Sequence, residues 1–199
     1  MTLAERAVAS RRMRLVIGLS GASGAIYGVR LLRLLRELDI ESHLVVSRSA
    51  QVTLSHELDM RLADVQALAD VSYPNTDIGA AISSGSFRVD GMIIAPCSIR
   101  TLSEIATGCT GSLLSRAADV MLKERRRLVM MVRETPLHAG HIRSLAAVTE
   151  AGAIVYPPVP AFYAKPASVE EMVDHTLGRV LDLFDVDTRT VRRWDGTAA

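Results

Sequence analysis

Aromatic residues are scarce in this chain. Three Phe, four Tyr and one Trp among 199 residues leave the core to aliphatic side chains. Cysteine is scarcer still: Cys97 and Cys109 are too few for a disulfide scaffold or a four-cysteine zinc site. Neither sits in a CxxC pair, so free thiols in a reducing compartment are expected. No apolar run reaches the roughly 18 residues of a membrane span. No charge of one sign dominates either. With 23 Lys and Arg against 22 Asp and Glu the net charge is +1, which gives no pull toward nucleic acid or anionic lipid. Ser10-Arg11-Arg12 ahead of the apolar stretch 15–19 imitates an export signal. That stretch is only a strand long, where a signal needs about 7–15 apolar residues. The expectation is a cytoplasmic chain with no nucleic-acid or membrane partner. Residues 1–12 are read as a flexible tail, with Met13 as an alternative start, and 187–199 as a second tail.

What is present is an alternation. Apolar strands are predicted at 14–19, 42–47, 92–97, 128–132 and 153–156. Helical periodicity is predicted at 25–38, 48–57, 62–69, 101–106, 113–125, 142–151 and 169–184. Residues 73–77, with Pro74-Asn75, read as a loop. Strands apolar on both sides and separated by helices mean a mainly parallel sheet covered on both faces, an α/β sandwich in a single domain. The segment 156–163, with three prolines, reads as a rigid extended loop.

Four motifs fall at the ends of these strands. Gly18-Leu19-Ser20-Gly21-Ala22-Ser23-Gly24 follows the first strand, and its backbone N–H groups at a helix start can cradle a phosphate. The spacing is GxxGxxG and not the GxGxxG dinucleotide fingerprint. The second strand ends in Ser47-Arg48, where an NAD site wants an acid. This disfavours NAD, leaves NADP open through Arg48, and suits a mononucleotide bonded by Ser47. Ser98 and Thr101 stand at N-cap spacing after Pro96-Cys97, either as a simple cap or as a ligand loop. Nothing near Cys97 in sequence makes it a nucleophile. Arg133-Glu134 ends the fourth predicted strand, either as a structural ion pair or as a phosphate fork beside a proton carrier. Arg116 and Lys123, seven apart, share a helical face, whereas Arg125 to Arg127 read as a solvated helix end. His138 and His141 lack a third ligand nearby, so no metal site is expected.

In this order the segments SGASGAIYGVRLL (20–32), VVSRSA (45–50), ISSGSF (82–87), APCSIRTL (95–102), RAADVMLKERR (116–126), VRETPLH (132–138), PPVPAFY (157–163) and RVLD (179–182) resemble the UbiX-type flavin prenyltransferases. Older names for such proteins are 3-octaprenyl-4-hydroxybenzoate carboxy-lyase and phenolic acid decarboxylase. The resemblance spans residues 13–186. It implies a Rossmann-like three-layer sandwich, assembled as a dodecamer, that transfers a dimethylallyl group from dimethylallyl phosphate to N5 and C6 of reduced FMN. The product, prenylated FMN, would serve UbiD-type decarboxylases, in ubiquinone synthesis or aromatic acid breakdown. The resemblance implies FMN contacts from Gly21, Ala22, Ser23, Ser47, Ser98, Ile99, Arg100, Thr101 and Arg133. It implies prenyl phosphate contacts from Lys123, Tyr163 and Arg179, with Arg116 at a further basic position, some of them from neighbouring subunits. Ser23, Glu57 and Glu134 match positions tied to proton movement. Ile78 stands where some members carry Trp, which removes one aromatic wall.

The chemistry is coherent with what is missing. No DDxxD-like cluster is present to hold a metal diphosphate, so a metal-independent transferase is expected. Basic side chains stabilise the leaving phosphate. Three rivals stand beside this reading. An FMN-dependent cysteine-type decarboxylase would carry a PASANT-type motif where this chain has PCSIRT. An NADP-linked reductase would need a Tyr-x-x-x-Lys pair, which is absent. A non-catalytic accessory subunit of an aromatic acid decarboxylase would co-purify with a large partner and lack transfer activity.

Overall fold

A computed structural model describes residues 11–193 and 196. Six parallel strands form one sheet in the order β3-β2-β1-β4-β5-β6, with β1 Arg14–Leu19, β2 Glu41–Val46, β3 Val71–Tyr73, β4 Gly91–Cys97, β5 Arg127–Val132 and β6 Ile154–Val155. The helices are α1 Ala25–Glu37, α2 Arg48–Leu58, α3 Leu62–Gln66, α4 Ile99–Ala106, α5 Leu113–Lys123, α6 Ala139–Glu150 and α7 Val169–Asp182.

Alternating side chains along each strand feed two cores. Leu15, Ile17, Leu19, Ile93 and Met131 pack under α1, α2 and α7. Val16, Met92, Ile94, Met130 and Val132 pack under α4, α5 and α6. Ile17 and Ile93 face each other across the central pair and are fully buried. Truncating either to Ala would cost about 2–5 kcal/mol, a large part of a domain's net stability.

The strand order reverses between β1 and β4, and ligands of open α/β sheets bind beyond the carboxyl ends of the strands at such a point. Ser20 builds this crevice. Its hydroxyl donates to Pro96 O at 2.9 Å and accepts from Ser98 N at 2.7 Å, locking the β1–α1 turn to the β4–α4 turn. Pro96 has no N–H for the ladder, and the β4–β5 register shifts between Ile94 and Cys97.

Sequence and structure differ at several element boundaries and at both ends. The three-residue edge strand β3 runs into the Pro74-Asn75 segment, where turn residues alone predict a loop. Helices α4 and α6 begin earlier than their periodicity, because Ser98 and His138 cap them by accepting from Thr101 N and Gly140 N. α5 stops at Lys123, and Arg125 takes φ 56 in the turn that follows. The expected N-terminal tail falls outside the described residues up to position 10. Arg11 and Arg12, however, pair with Asp90 and Asp70. On the C-terminal side, Arg193 pairs with Asp182 of α7.

Candidate flavin and prenyl phosphate site

A cleft of 760 Å³ opens at the strand-order reversal, within the ~300–1,000 Å³ usual for small-molecule sites. Its walls are the β1–α1 turn (Gly21, Ala22, Ser23), the start of α4 (Ser98, Ile99, Arg100), the end of β5 (Arg133, Glu134) and the proline segment 157–160. A second cavity of 640 Å³ shares Ser49, Ser98 and Arg100 with it and adds Ser47, Arg48, Asn75 and Thr101. All nine FMN-contact residues implied by the resemblance therefore line these two adjoining cavities. Ser49, at the shared wall, is a residue that motif spacing does not single out. Its signal lies in Gly21: a Cβ there would lie 2.3 Å from Ser49 Oγ, so only glycine lets the two loops close.

The glycine turn is not a free phosphate cradle. Glu57, exposed on α2, turns its carboxylate onto the start of α1 and accepts from Gly24 N and Ala25 N, both at 2.8 Å. Two of the N–H groups that the glycine spacing offers to a phosphate are thus taken. Partial desolvation raises the Glu57 pKa. Hydrogen bonds from Ser23, Ala25 and Gly24, with the Arg133 charge, outweigh it and hold the carboxyl below its ordinary range. Arg133 folds over this turn: its Nη1 lies 3.1 Å from where a Gly24 Cβ would be, and Gly24 has φ 99.

The other helix start suits an anion better. Ser98 Oγ accepts from Thr101 N at 3.3 Å and donates to Thr101 Oγ1 at 3.2 Å, so both hydroxyls are fixed at the mouth of α4. Ser47 Oγ caps α2 beside them, accepting from Ala50 N at 3.2 Å. The Arg100 guanidinium turns away to Glu104, with Nε to Oε1 at 2.9 Å, so this residue offers the crevice its backbone. Cys97 is fully buried, and burial pushes its thiol pKa up, which rules out a thiolate nucleophile.

Arg133 and Glu134 form no ion pair among the described residues. Glu134 is exposed in the cleft, and its Oε1 accepts only from the adjacent Thr135 N at 3.1 Å. The acid at this strand end is therefore available to a ligand.

The four prenyl phosphate candidates fall into two groups. Arg116 and Lys123 lie on α5, on one face of the sheet. Arg116 pairs with Asp119 at 2.6 Å, and Lys123 pairs with Glu124. Tyr163 and Arg179 line a 290 Å³ cleft with Val191 and Arg193, beside α7 on the opposite face. The proline loop does fold back to bring these two together, and Tyr163 sits edge-on to His175 with centroids 5.9 Å apart. Arg179 sits at the margin of α7 rather than inside it. Its side chain is 47 % exposed and pairs with Asp182 at 2.6 Å, a carboxylate shared with Arg193. Ile78 is exposed.

No group of three His, Cys, Asp or Glu suited to a metal occurs among the described residues, and the His138 and His141 rings lie tilted against each other with centroids 3.5 Å apart. No described helix is long and apolar enough to cross a membrane.

The family model described as Flavoprotein matches residues 3–183. The flavin prenyltransferase UbiX of Escherichia coli K12 is 56 % identical over 186 residues, covering 92 % of this chain and 98 % of that one. A crystal structure of AnUbiX (PadA1) in complex with FMN and dimethylallyl pyrophosphate superposes with TM-score 0.92 at 51 % identity, covering 94 % of this chain and all of that one. A dodecameric FMN-dependent UbiX-like decarboxylase from Escherichia coli O157:H7 gives 0.90 at 47 %, covering 92 % and 100 %. A crevice built for a mononucleotide and identity of this order along nearly the whole chain lead to one conclusion: the chain belongs to the flavoprotein family and, within it, to the UbiX-type flavin prenyltransferases.

Proposed function

We propose that this enzyme transfers a dimethylallyl group from dimethylallyl phosphate to N5 and C6 of reduced FMN. The observation that carries the reading is the crevice at the β1/β4 reversal. It combines a glycine turn with no room for side chains, a serine-capped helix start, an arginine and an uncommitted carboxylate.

The residues fit FMN. Ser47, Ser98 and Thr101 would hold its phosphate where the starts of α2 and α4 meet. Gly21, Ala22, Ser23 and Arg133 would line the flavin ring. Bound there, reduced FMN supplies the nucleophilic N5 and C6 atoms and an electron-rich face. The protein's part is electrostatic. Cleavage of the allylic C–O bond leaves charge on the departing phosphate, and Lys123, Arg179, Arg116 and the Tyr163 hydroxyl stabilise it. The departing phosphate would take up the N5 proton as the first bond forms; as C6 joins C3 of the allyl group the double bond gains a proton at C2, and Glu134 would exchange that proton for the one displaced at C6. Glu57 holds Ser23 and the α1 turn in place, so its share in proton movement runs through the Ser23 hydroxyl.

Arg116 and Lys123 lie across the sheet from Tyr163 and Arg179, so one dimethylallyl phosphate meets all four only where two copies of the chain adjoin. Assembly into a dodecamer would supply that neighbour. The exposed Val159 and Phe162 of the proline loop support such a junction. A UbiD-type decarboxylase in the cytoplasm is the proposed recipient of the prenylated FMN. The test is mass spectrometry of the flavin released after incubation with reduced FMN and dimethylallyl phosphate. A flavin heavier by one dimethylallyl unit is expected. Unmodified FMN would overturn the reading.

A further inference from the structure

Residues 74–88 run from the end of β3 to the start of β4 and support both ends of α5. At its start, Leu113 N and Leu114 N donate to Asn75 O at 2.9 Å and to Asn75 Oδ1 at 3.0 Å. In its middle, Arg116 Nε donates to Ser83 O at 3.2 Å. At its end, Arg126 donates to Gly85 O at 2.6 Å and Phe87 O at 2.8 Å. A Cβ at Gly85 would lie 2.8 Å from Lys123 Nζ, so the ammonium rests directly against this loop. The position of Lys123 and Arg116 is therefore the position of the 83–87 turn.

Ile82 anchors this loop in the apolar core, and one buried polar side chain supports it from beneath. His43 on β2 is 2 % exposed. Its Nε2 and Glu41 Oε1 are 2.8 Å apart, and its Nδ1 and Tyr73 Oη 2.9 Å. The Glu41 carboxylate only accepts, so His43 donates from Nε2, and Nδ1 is left to accept from the Tyr73 hydroxyl. The imidazole stacks on Tyr73 with centroids 5.8 Å apart and meets Phe87 edge-on at 5.3 Å. Tyr73 and Phe87 are the two ends of the loop. Arg14 closes the ring from outside. It forks onto Glu41 through Nε at 2.7 Å and Nη2 at 3.0 Å, and its guanidinium lies 4.9 Å from the Phe87 centroid.

We infer that His43 is a positioning residue for prenyl phosphate, latching both ends of the 74–88 loop so that Lys123 and Arg116 are set for the leaving group. The inference rests on the assignment of those two cations to the phosphate. None of the residues that tie His43 in place lines the flavin crevice, and among the described residues the loop reaches it through Asn75 alone, so the effect falls mainly on one substrate.

The experiment measures FMN affinity, kcat and the KM for dimethylallyl phosphate in His43→Phe and Tyr73→Phe. The first keeps a ring but loses both hydrogen bonds. The second removes only the hydroxyl tie and keeps the test alive if His43→Phe does not fold. KM should rise about tenfold and about threefold respectively, the size of one or two lost hydrogen bonds, while FMN affinity and kcat at saturation stay within about twofold. In a Lys123→Met background each substitution should raise KM by less than it does in the wild-type chain, because only Arg116 is left to misplace. An unchanged KM, a parallel loss of FMN affinity, or additivity with Lys123→Met would each overturn the proposal. Lys123→Met on its own separates the two levels: if it leaves KM unaltered, the phosphate assignment fails and takes this proposal with it.

Discussion

The flavin crevice and the cations proposed for prenyl phosphate are built on different principles. The crevice is local to the carboxyl ends of the strands of one sheet. Each of its walls follows directly from a strand end, and Ser20 ties two of those walls together. The cations are split between α5 and the α7 side, on opposite faces of the same sheet, and each already holds a carboxylate partner: Asp119, Glu124 or Asp182. A chain can preorganise a nucleotide site by itself, because strand ends converge. It brings charges from both faces to one ligand only by pairing with a copy of itself. Under the proposed function, these carboxylate partners would hold the cations until a more highly charged anion competes.

The largest expected effect separates chemistry from binding inside the crevice. Glu134→Gln should retain FMN at near wild-type affinity and slow prenyl transfer by about 10²–10⁴-fold, the usual worth of a general acid or base. Stopped-flow absorbance of the flavin, beside equilibrium FMN titration, measures both. Full-rate turnover would remove Glu134 from the mechanism.

The next effect tests whether the cations truly belong to two chains. Lys123→Met and Arg179→Ala should each weaken productive dimethylallyl phosphate binding by roughly ten- to a hundredfold. Mixed assembly of the two inactive variants should restore about a quarter of the sites by random assortment, because some junctions combine an intact Lys123 with an intact Arg179. No recovery on mixing would place the whole site within one subunit and erase the contrast between the two regions.

The contrast also explains what the sequence made legible. Five strands, the switch point and the serine-capped α4 start follow from apolar runs and N-cap chemistry, which are local. β3 has only three residues, none of them fully buried, and exists because β2 offers an edge to pair with. His43 looks like any polar residue at the start of a strand, and its burial depends on Tyr73 and Phe87, 30 and 44 positions away. The role of Glu57 was legible only through resemblance. That its carboxylate closes the start of α1 is a contact across 32 residues that no spacing rule contains.

A smaller effect concerns the phosphate end of the crevice. Ser98→Ala with Thr101→Ala should lower FMN affinity about thirtyfold, at about 1 kcal/mol for each neutral hydrogen bond. Prenyl phosphate dependence in the FMN that still binds should be unchanged. Loss of the α4 cap would also lower the melting temperature, so affinity is to be measured well below it. Equal losses for both substrates would mean that the two regions are coupled through α4.

The smallest effect distinguishes the two carboxylates of the crevice. Glu57 is bound into the α1 start and Glu134 is not, so only Glu57 should register in stability. Its folded-state pKa lies below the ordinary carboxylate value, chiefly because hydrogen bonds from Ser23, Ala25 and Gly24 overcome desolvation. The folded state therefore binds the proton less readily than the unfolded chain. The stabilisation is complete above the unfolded pKa and is lost as pH falls through the depressed folded pKa. Because Glu57 is exposed and screened, the contribution should be modest, about 0.5 kcal/mol. Glu57→Gln keeps an acceptor for Gly24 N and Ala25 N but no charge. It should unfold slightly more easily near neutrality and converge with the wild-type enzyme in acid, whereas Glu134→Gln should track the wild type throughout. Urea melts of both variants at neutral and acidic pH would show this. A constant offset for Glu57→Gln at every pH would mean that its carboxylate stabilises the turn by shape rather than by charge, and a pH-dependent offset for Glu134→Gln would mean that the two acids share one network.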